Sequence, residues 1–236
     1  MFTVAIIGPD GVGKTTVSRQ LEHTLSLRAK YVYMGVNLES SNLVLPTTRL
    51  LLELKRARGG RPDMAGPPDP TKVKPRPKGI VRRTASGIKS TLRLVNQVAE
   101  ERFRQLVVRY YLLRGYVVLF DRDFFADYYA HDIGRSAKGR PLTSRIHGFL
   151  LERFYRRPDL VICLDAPPEV MFARKGEGTL ELLESRRQEY LRLRGTVQRF
   201  DLVDATQPLG DVIAEVSHRI HDFSETFGKQ KRFARC

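Results

Sequence analysis

Gly8-Pro9-Asp10-Gly11-Val12-Gly13-Lys14-Thr15 directly follows the apolar run Phe2-Thr3-Val4-Ala5-Ile6-Ile7. The stretch fits G-x-x-x-x-G-K-[ST], the phosphate-cradling P-loop pattern. Its flanks agree: a β-branched strand is expected before it, and a helix after it from Val17, Leu21 and Leu25. Glycines let a backbone fold so that successive N–H groups point inward at phosphate. The helix that follows adds free N–H groups and the positive end of its dipole. The expected nucleoside-triphosphate contacts are Gly8, Asp10, Gly11, Val12, Gly13, Lys14, Thr15 and Thr16. Lys14 is expected to reach the β- and γ-phosphates, and the Thr15 hydroxyl to ligate Mg²⁺. A ligand-free glycine turn would account for the glycines, but would leave the Lys14-Thr15 pair at this offset as coincidence.

Outward from that loop, five segments are expected to be strands from β-branched and aromatic enrichment: Thr3–Ile7, Lys30–Met34, Tyr116–Phe120, Leu160–Asp165 and Leu202–Ala205. Helical periodicity separates them. The longest such run covers about Ile88–Arg114, with Leu92, Val95, Ala99, Phe103, Leu106, Val107 and Tyr110 at three- and four-residue steps. Others cover about Thr15–Leu27, Thr143–Phe154, Pro168–Arg174, Thr179–Leu193 and Gly210–Phe223. Strands alternating with helices predict an α/β fold: a five-stranded parallel sheet with helices on both faces. Ligands of such sheets bind at the carboxyl ends of the strands.

Two further constellations sit at strand ends. Tyr116–Phe120 runs into Asp121-Arg122-Asp123. An Asp at that place can hold Mg²⁺ or take a proton from an acceptor, and an adjacent Arg can hold a phosphate through paired N–H donors. An Asp capping the following helix, with Arg122 on the surface, is the plainer reading of the same residues. The second is the turn Asp165-Ala166-Pro167-Pro168-Glu169, followed by Arg174-Lys175-Gly176-Glu177-Gly178 and a charged helix with Arg186, Arg187 and Tyr190. Basic residues between two helices, over about 174–187, suit a short lid that offsets charge on a transferring phosphoryl group. An ordinary solvated hairpin has the same composition.

The 236 residues suffice for one domain, and 42% hydrophobic content for a core. The net charge of +15 is uneven: residues 49–114 hold 17 Lys and Arg against 5 Asp and Glu, so this segment carries most of the excess. Such a segment attracts anions, whether phosphorylated substrates, nucleic acid or an anionic membrane surface; a solvated surface stretch is the alternative. Six of the 13 prolines fall between Gly59 and Gly79, which predicts a long irregular insertion over about 56–83. No run approaches the ~18 apolar residues of a membrane helix. The N-terminus enters a strand almost at once, leaving no room for a signal peptide, and two cysteines are too few for a disulfide framework. Cys163 is expected to be buried in a strand and Cys236 to be an exposed thiol. These features point to the cytoplasm. The five histidines show no metal-ligand spacing with cysteines, so no metal other than Mg²⁺ is implied.

Taken together, Asp10–Thr16, Asp121-Arg122, the Pro158–Val170 strand and turn, and Asp204-Ala205-Thr206-Gln207-Pro208 resemble the thymidylate kinase family of P-loop nucleotide kinases. The resemblance spans residues 2–35 and about 95–220. It implies transfer of the ATP γ-phosphoryl group, with Mg²⁺, to a phosphate on an acceptor, by default thymidine monophosphate. It implies as catalytic residues Lys14, Asp10 (the carboxylate inside the loop), Asp121, Arg122 (on the acceptor phosphate) and Arg174 (the lid arginine). Thr15 and Asp121 would hold the metal, and Ala205 and Thr206 would lie near adenine. Many members are homodimers.

The acceptor half departs from the family pattern. Where members carry Arg-Glu-Pro-Gly after the second strand, this chain has Tyr33-Met34-Gly35-Val36-Asn37. Where they carry Asp-Arg in the long helix, the nearest match is Glu100-Glu101-Arg102. The basic insertion replaces a short helical segment. Two alternatives therefore stand beside the nucleotide kinase: the same donor chemistry on a phosphorylated sugar, a saccharide–lipid head group or another anion, and an ATP-dependent switch or binding module.

Overall fold

A computed structural model describes residues 1–35, 41, 43–57, 80–128 and 142–233. Strand β1 (Thr3–Ile7) is buried along its whole length, as its unbroken apolar sequence requires of a central strand. It pairs in parallel on one side with β3 (Val117–Asp121) and on the other with β4 (Leu160–Asp165). Outside these lie β2 (Ala29–Tyr33) and β5 (Phe200–Asp204), giving the all-parallel order β2-β3-β1-β4-β5. The register sets Ile6 beside Asp121 and Asp165 beside Asp204, so the carboxyl ends of β1, β3, β4 and β5 open on one edge. The connections that leave the neighbouring strands β1 and β3 run to opposite sides of the sheet, towards β2 and β4, and ligands of open α/β sheets bind at such a switch point.

The period-two alternation of β1 feeds two cores. Val4 and Ile6 pack with helix α1 (Lys14–Thr24) and helix α8 (Leu209–Phe233) through Val17, Leu21, Val212 and Val216. Ala5 and Ile7 face the other layer. There they meet α3 (Ile80–Leu113), α4 (Phe124–Tyr128) and α5 (Leu142–Phe154) through Val108, Phe125 and Leu151. Helix α2 (Pro46–Ala57) joins α3 through Thr48, whose hydroxyl donates to Asn96 Oδ1 at 3.0 Å. Helices α6 (Pro168–Lys175) and α7 (Leu180–Leu191) form a hairpin over the end of β4. Pro168 opens α6 at a position that needs no N–H, and Gly176 closes it in the left-handed region (φ 66°). Thr179 caps α7, its hydroxyl accepting from Leu182 N at 3.2 Å. A 3₁₀ turn follows at Arg192–Gly195.

All five expected strands are present, with edges moved by two residues at most. The helices differ more. α3 begins at Ile80, not Ile88, so the expected irregular insertion of 56–83 gives way to helix at its end; residues 58–79 lie outside the described residues, as does Cys236. α8 runs ten residues past Phe223, and α2 and α4 were not anticipated. The largest correction concerns which side of α3 is buried. Leu92, Val95, Ala99, Leu106 and Tyr110 face solvent, while Glu100, Glu101, Arg104 and Val108 are enclosed. Hydrogen bonds, and the Arg104 guanidinium beside Glu100 and Glu101, explain how a polar side can be buried there. Glu101 meets His147 Nε2 at 2.7 Å, and both Glu100 carboxylate oxygens accept from Leu45 N. No helix among the described residues is long and apolar enough to cross a membrane.

Candidate functional site

The Gly8–Thr15 loop leaves β1 in a conformation that only glycine adopts cheaply. Gly8, Gly11 and Gly13 have φ of 139°, 87° and 99°. A Cβ on Gly8 would sit 2.5 Å from Leu164 O, and one on Gly11 2.6 Å from Met171 O. The loop is thus pressed against the end of β4 and against α6. The first ladder bond at the start of α1 runs from Val17 N to Gly13 O (3.0 Å), which leaves the N–H groups of Lys14, Thr15 and Thr16 outside the helix ladder. Lys14 is 5% exposed, and its Nζ donates to Pro9 O at 2.6 Å. Burial and the nearby Arg122 lower its pKa to about 8, partly offset by Asp10 and Asp121.

Asp121, at the end of β3, is brought to this loop by the β1–β3 register. Its Oδ2 accepts from Thr15 Oγ1 at 2.7 Å and from Tyr31 OH at 3.0 Å. Its Oδ1 is buried with no hydrogen-bond partner among the described residues. A hydroxyl and an orphaned carboxylate oxygen side by side are hard oxygen donors, and they fit Mg²⁺, which takes few protein ligands and fills its shell with phosphate and water. Among the described residues no group of three or more His, Cys, Asp or Glu could hold a metal ion.

Asp10 is the hub of the charged cluster. Arg122 NH2 donates to its Oδ1 at 2.6 Å, Arg186 NH1 to its Oδ2 at 3.2 Å, and Lys14 Nζ stands 3.9 Å away. Burial alone would raise its pKa, but Lys14, Arg122 and Lys175 outweigh burial and hold the carboxyl well below the usual range. Arg122 carries a positive φ of 70°, unusual for a side-chain-bearing residue, and its N–H donates to Ile6 O at 3.1 Å. Burial would lower its pKa, but Asp127 and Asp10 more than offset that and keep the guanidinium charged. Backbone strain of this kind gathers where a side chain must be aimed. Asp123, the next residue, caps α4: its carboxylate accepts from the N–H groups of Phe125 and Ala126 and from Tyr155 OH at 3.1 Å.

The arginines of the α6–α7 hairpin divide their work. Arg174 is exposed in the last turn of α6. Arg186 reaches Asp10, and Arg187 makes two bonds to Asp165, at 2.6 and 2.8 Å, tying α7 to the end of β4. The structure therefore gathers Asp10, Lys14, Thr15, Asp121, Arg122 and Arg186 at one strand edge and leaves Arg174 outside their ion pairs. Ala205 is buried at the end of β5, its N–H donating to Asp165 O at 2.7 Å; Thr206 is exposed and bonded to Asp204.

Sequence reasoning missed Arg104. Its guanidinium is fully buried and donates to the carbonyls of Leu43, Tyr33 and Gly35 at 3.1, 3.3 and 2.7 Å. It holds the backbone at the end of β2 and just beyond it. Gly35 is tight there too: a Cβ would fall 2.5 Å from Arg122 Cδ and from the Tyr33 hydroxyl. Position 104 lies between the buried Glu100 and the buried Val108 on the same helix side, a pattern that apolar periodicity does not register. No protein-family model matches the chain, and no curated protein is identified as its relative.

Proposed function

We propose that the chain is an ATP-dependent phosphotransferase of thymidylate kinase type, built on a P-loop fold, with thymidine monophosphate as the default acceptor. One observation carries the reading: Thr15 Oγ1 and Asp121 Oδ2 meet at 2.7 Å across 106 residues of sequence, beside the buried Lys14. Mg²⁺ would be held by Thr15 and Asp121, and when bound it neutralises charge on the β- and γ-phosphates. The free N–H groups at the start of α1 would bind the phosphates. In transfer, an acceptor phosphate oxygen bonds to the γ-phosphorus while its bond to the β,γ-bridging oxygen breaks, and ADP leaves. Lys14 stabilises the charge that grows on the transferring group. Arg122, aimed by its positive φ and by Asp10, positions the acceptor phosphate. Arg186 supplies positive charge from the lid side.

A non-nucleotide anionic acceptor is the second reading. The packing of Tyr33 and Gly35, held by Arg104, favours it, because Tyr33-Met34-Gly35 stands in the place of the family's acceptor-binding Arg-Glu-Pro-Gly element. A pocket lined with different hydrogen-bonding groups discriminates strongly against the original ligand. The test is transfer of label from γ-labelled ATP with Mg²⁺ to thymidine monophosphate, other nucleoside monophosphates and phosphorylated sugars, with Lys14→Ala as control. Labelled thymidine diphosphate, absent in the control, is the expected product. Label on a sugar phosphate alone would move the acceptor to the second class. ATP binding without transfer to any acceptor would replace the kinase with a nucleotide-dependent switch.

A further inference from the structure

Arg122 is confined from more than one direction. Its stem lies against Gly35, where an added Cβ would fall 2.5 Å from Arg122 Cδ, and its NH2 donates to Asp10 Oδ1 at 2.6 Å. A second carboxylate acts on it. Burial works against the charge of the guanidinium, and Asp127, ahead of Asp10, more than restores it. The Asp127 N–H donates to Asp123 O at 2.8 Å, which fixes Asp127 in the first turn of α4, close in the chain to Arg122. Asp127 is only 6% exposed, so its carboxylate needs donors from the protein.

One donor comes from the hairpin. Tyr190 OH donates to Asp127 Oδ1 at 2.8 Å. Tyr190 is itself 2% exposed and stands in α7, one turn beyond Arg186. Side chains one turn apart share a side of a helix. That side of α7 thus places a donor on each of the two carboxylates that act on Arg122: Arg186 on Asp10, and Tyr190 on Asp127. A phenylalanine would fill the core equally well; the hydroxyl is what reaches the carboxylate. We propose that Asp127 and Tyr190 are positioning residues for Arg122. Tyr190 holds the Asp127 carboxylate, Asp127 and Asp10 together hold the guanidinium in the direction its backbone sets, and α7 is thereby tied to the aim of the arginine. The consequence for phosphoryl transfer rests on the kinase reading above, whereas the tether of Arg122 does not. Lys14, Thr15 and Asp121 stay in place when the tether is cut, so the loss falls on the acceptor side.

Two readouts on the full chain test it. The first is ¹⁵N relaxation of the Arg122 Nε–H group, identified by its disappearance in Arg122→Lys. The group should be rigid in the parent and mobile in Asp127→Asn and in Tyr190→Phe, with amide spectra that otherwise match the parent. Tyr190→Phe keeps the ring and its packing, and it carries the test alone if Asp127→Asn does not fold. An Arg122 group as rigid in the folded variants as in the parent overturns the proposal, whatever the chain catalyses. The second readout is label transfer from γ-labelled ATP. Tyr190→Phe should raise KM for thymidine monophosphate about tenfold and Asp127→Asn about 30-fold, with KM for ATP within about twofold of the parent. In an Arg122→Ala background neither change should lower kcat/KM further, because each acts through that arginine. A full additional loss in that background overturns the proposal. A parent that transfers no label, while Arg122 is mobilised in both variants, upholds the tether and overturns the kinase reading instead.

Discussion

Asp123 is the residue whose chemistry is most at odds with its surroundings. It is buried beside Asp127, one of its oxygens has no hydrogen-bond partner among the described residues, and burial together with Asp127 pushes its pKa from 3.8 up to about 7. A raised folded-state value means that the folded protein holds the proton more tightly than the unfolded chain. The stability that the neutral acid contributes is therefore complete below the unfolded value and is lost as pH rises through the folded one. Asp123→Asn should remove that dependence. The variant should gain on the parent between about pH 4 and pH 7, by about 2–4 kcal/mol at the upper end, and stay level above it. Urea midpoints of both proteins across that range check this; parallel curves would refute the assignment. Asp10 acts in the opposite sense, since its lowered value costs stability as pH falls, but it is common to both proteins and cancels in the comparison.

At the scale of elements, the α6–α7 hairpin separates two adjacent arginines into different roles. Arg187 fastens α7 to β4 through its two bonds to Asp165, and Arg186 turns inward to Asp10. Arg186→Gln should lower kcat on the order of 100-fold and move the urea midpoint little, because Asp10 keeps Arg122 and Lys14. Arg187→Gln should cost about 1–2 kcal/mol of stability with a smaller effect on kcat. Equal effects of the two variants on both quantities would refute the division. The hairpin was legible in the sequence as two helices around Gly176 and Gly178, but the reach of Arg186 to Asp10 was not. That contact joins residues 176 positions apart and depends on how α7 packs on the sheet end. α3 shows the opposite limit. Its apolar spacing is real, yet it marks the side turned to solvent, because Arg104 with Glu100 and Glu101 fills the layer that periodicity assigns to leucines. The inner strands β1, β3 and β4 were read well because each is a short apolar run buried almost throughout. The edge strands β2 and β5 carry Lys30, Asp201 and Asp204, and β5 begins two residues before its expected start. Asp121 and Arg122 were legible because they end an inner run.

At the scale of the whole molecule, the order β2-β3-β1-β4-β5 makes one site from three distant segments. The loop after β1, the end of β3 and helix α7 each supply charge, and none makes a site alone. Such a site should couple ligand binding to global stability, since the unfolded chain has no cradle to offer. Nucleotide at a hundred times its Kd should stabilise the fold by about 2.7 kcal/mol, which for a chain of this size raises Tm by about 5–10 °C. The increment should be larger with Mg²⁺ than with a chelator, because on the proposed reading the metal would join Thr15 to Asp121 and hence β1's loop to β3. Thr15→Val should keep the chelator value and lose the Mg²⁺-dependent part; Lys14→Ala should lose most of both. A Tm that ATP leaves unchanged would break the proposal at its donor half. A shift in the parent protein that is indifferent to Mg²⁺ would break only the assignment of Thr15 and Asp121 as metal ligands. Thermal unfolding with and without ATP, Mg²⁺ and chelator thus separates the two claims in a single series, before any acceptor is known.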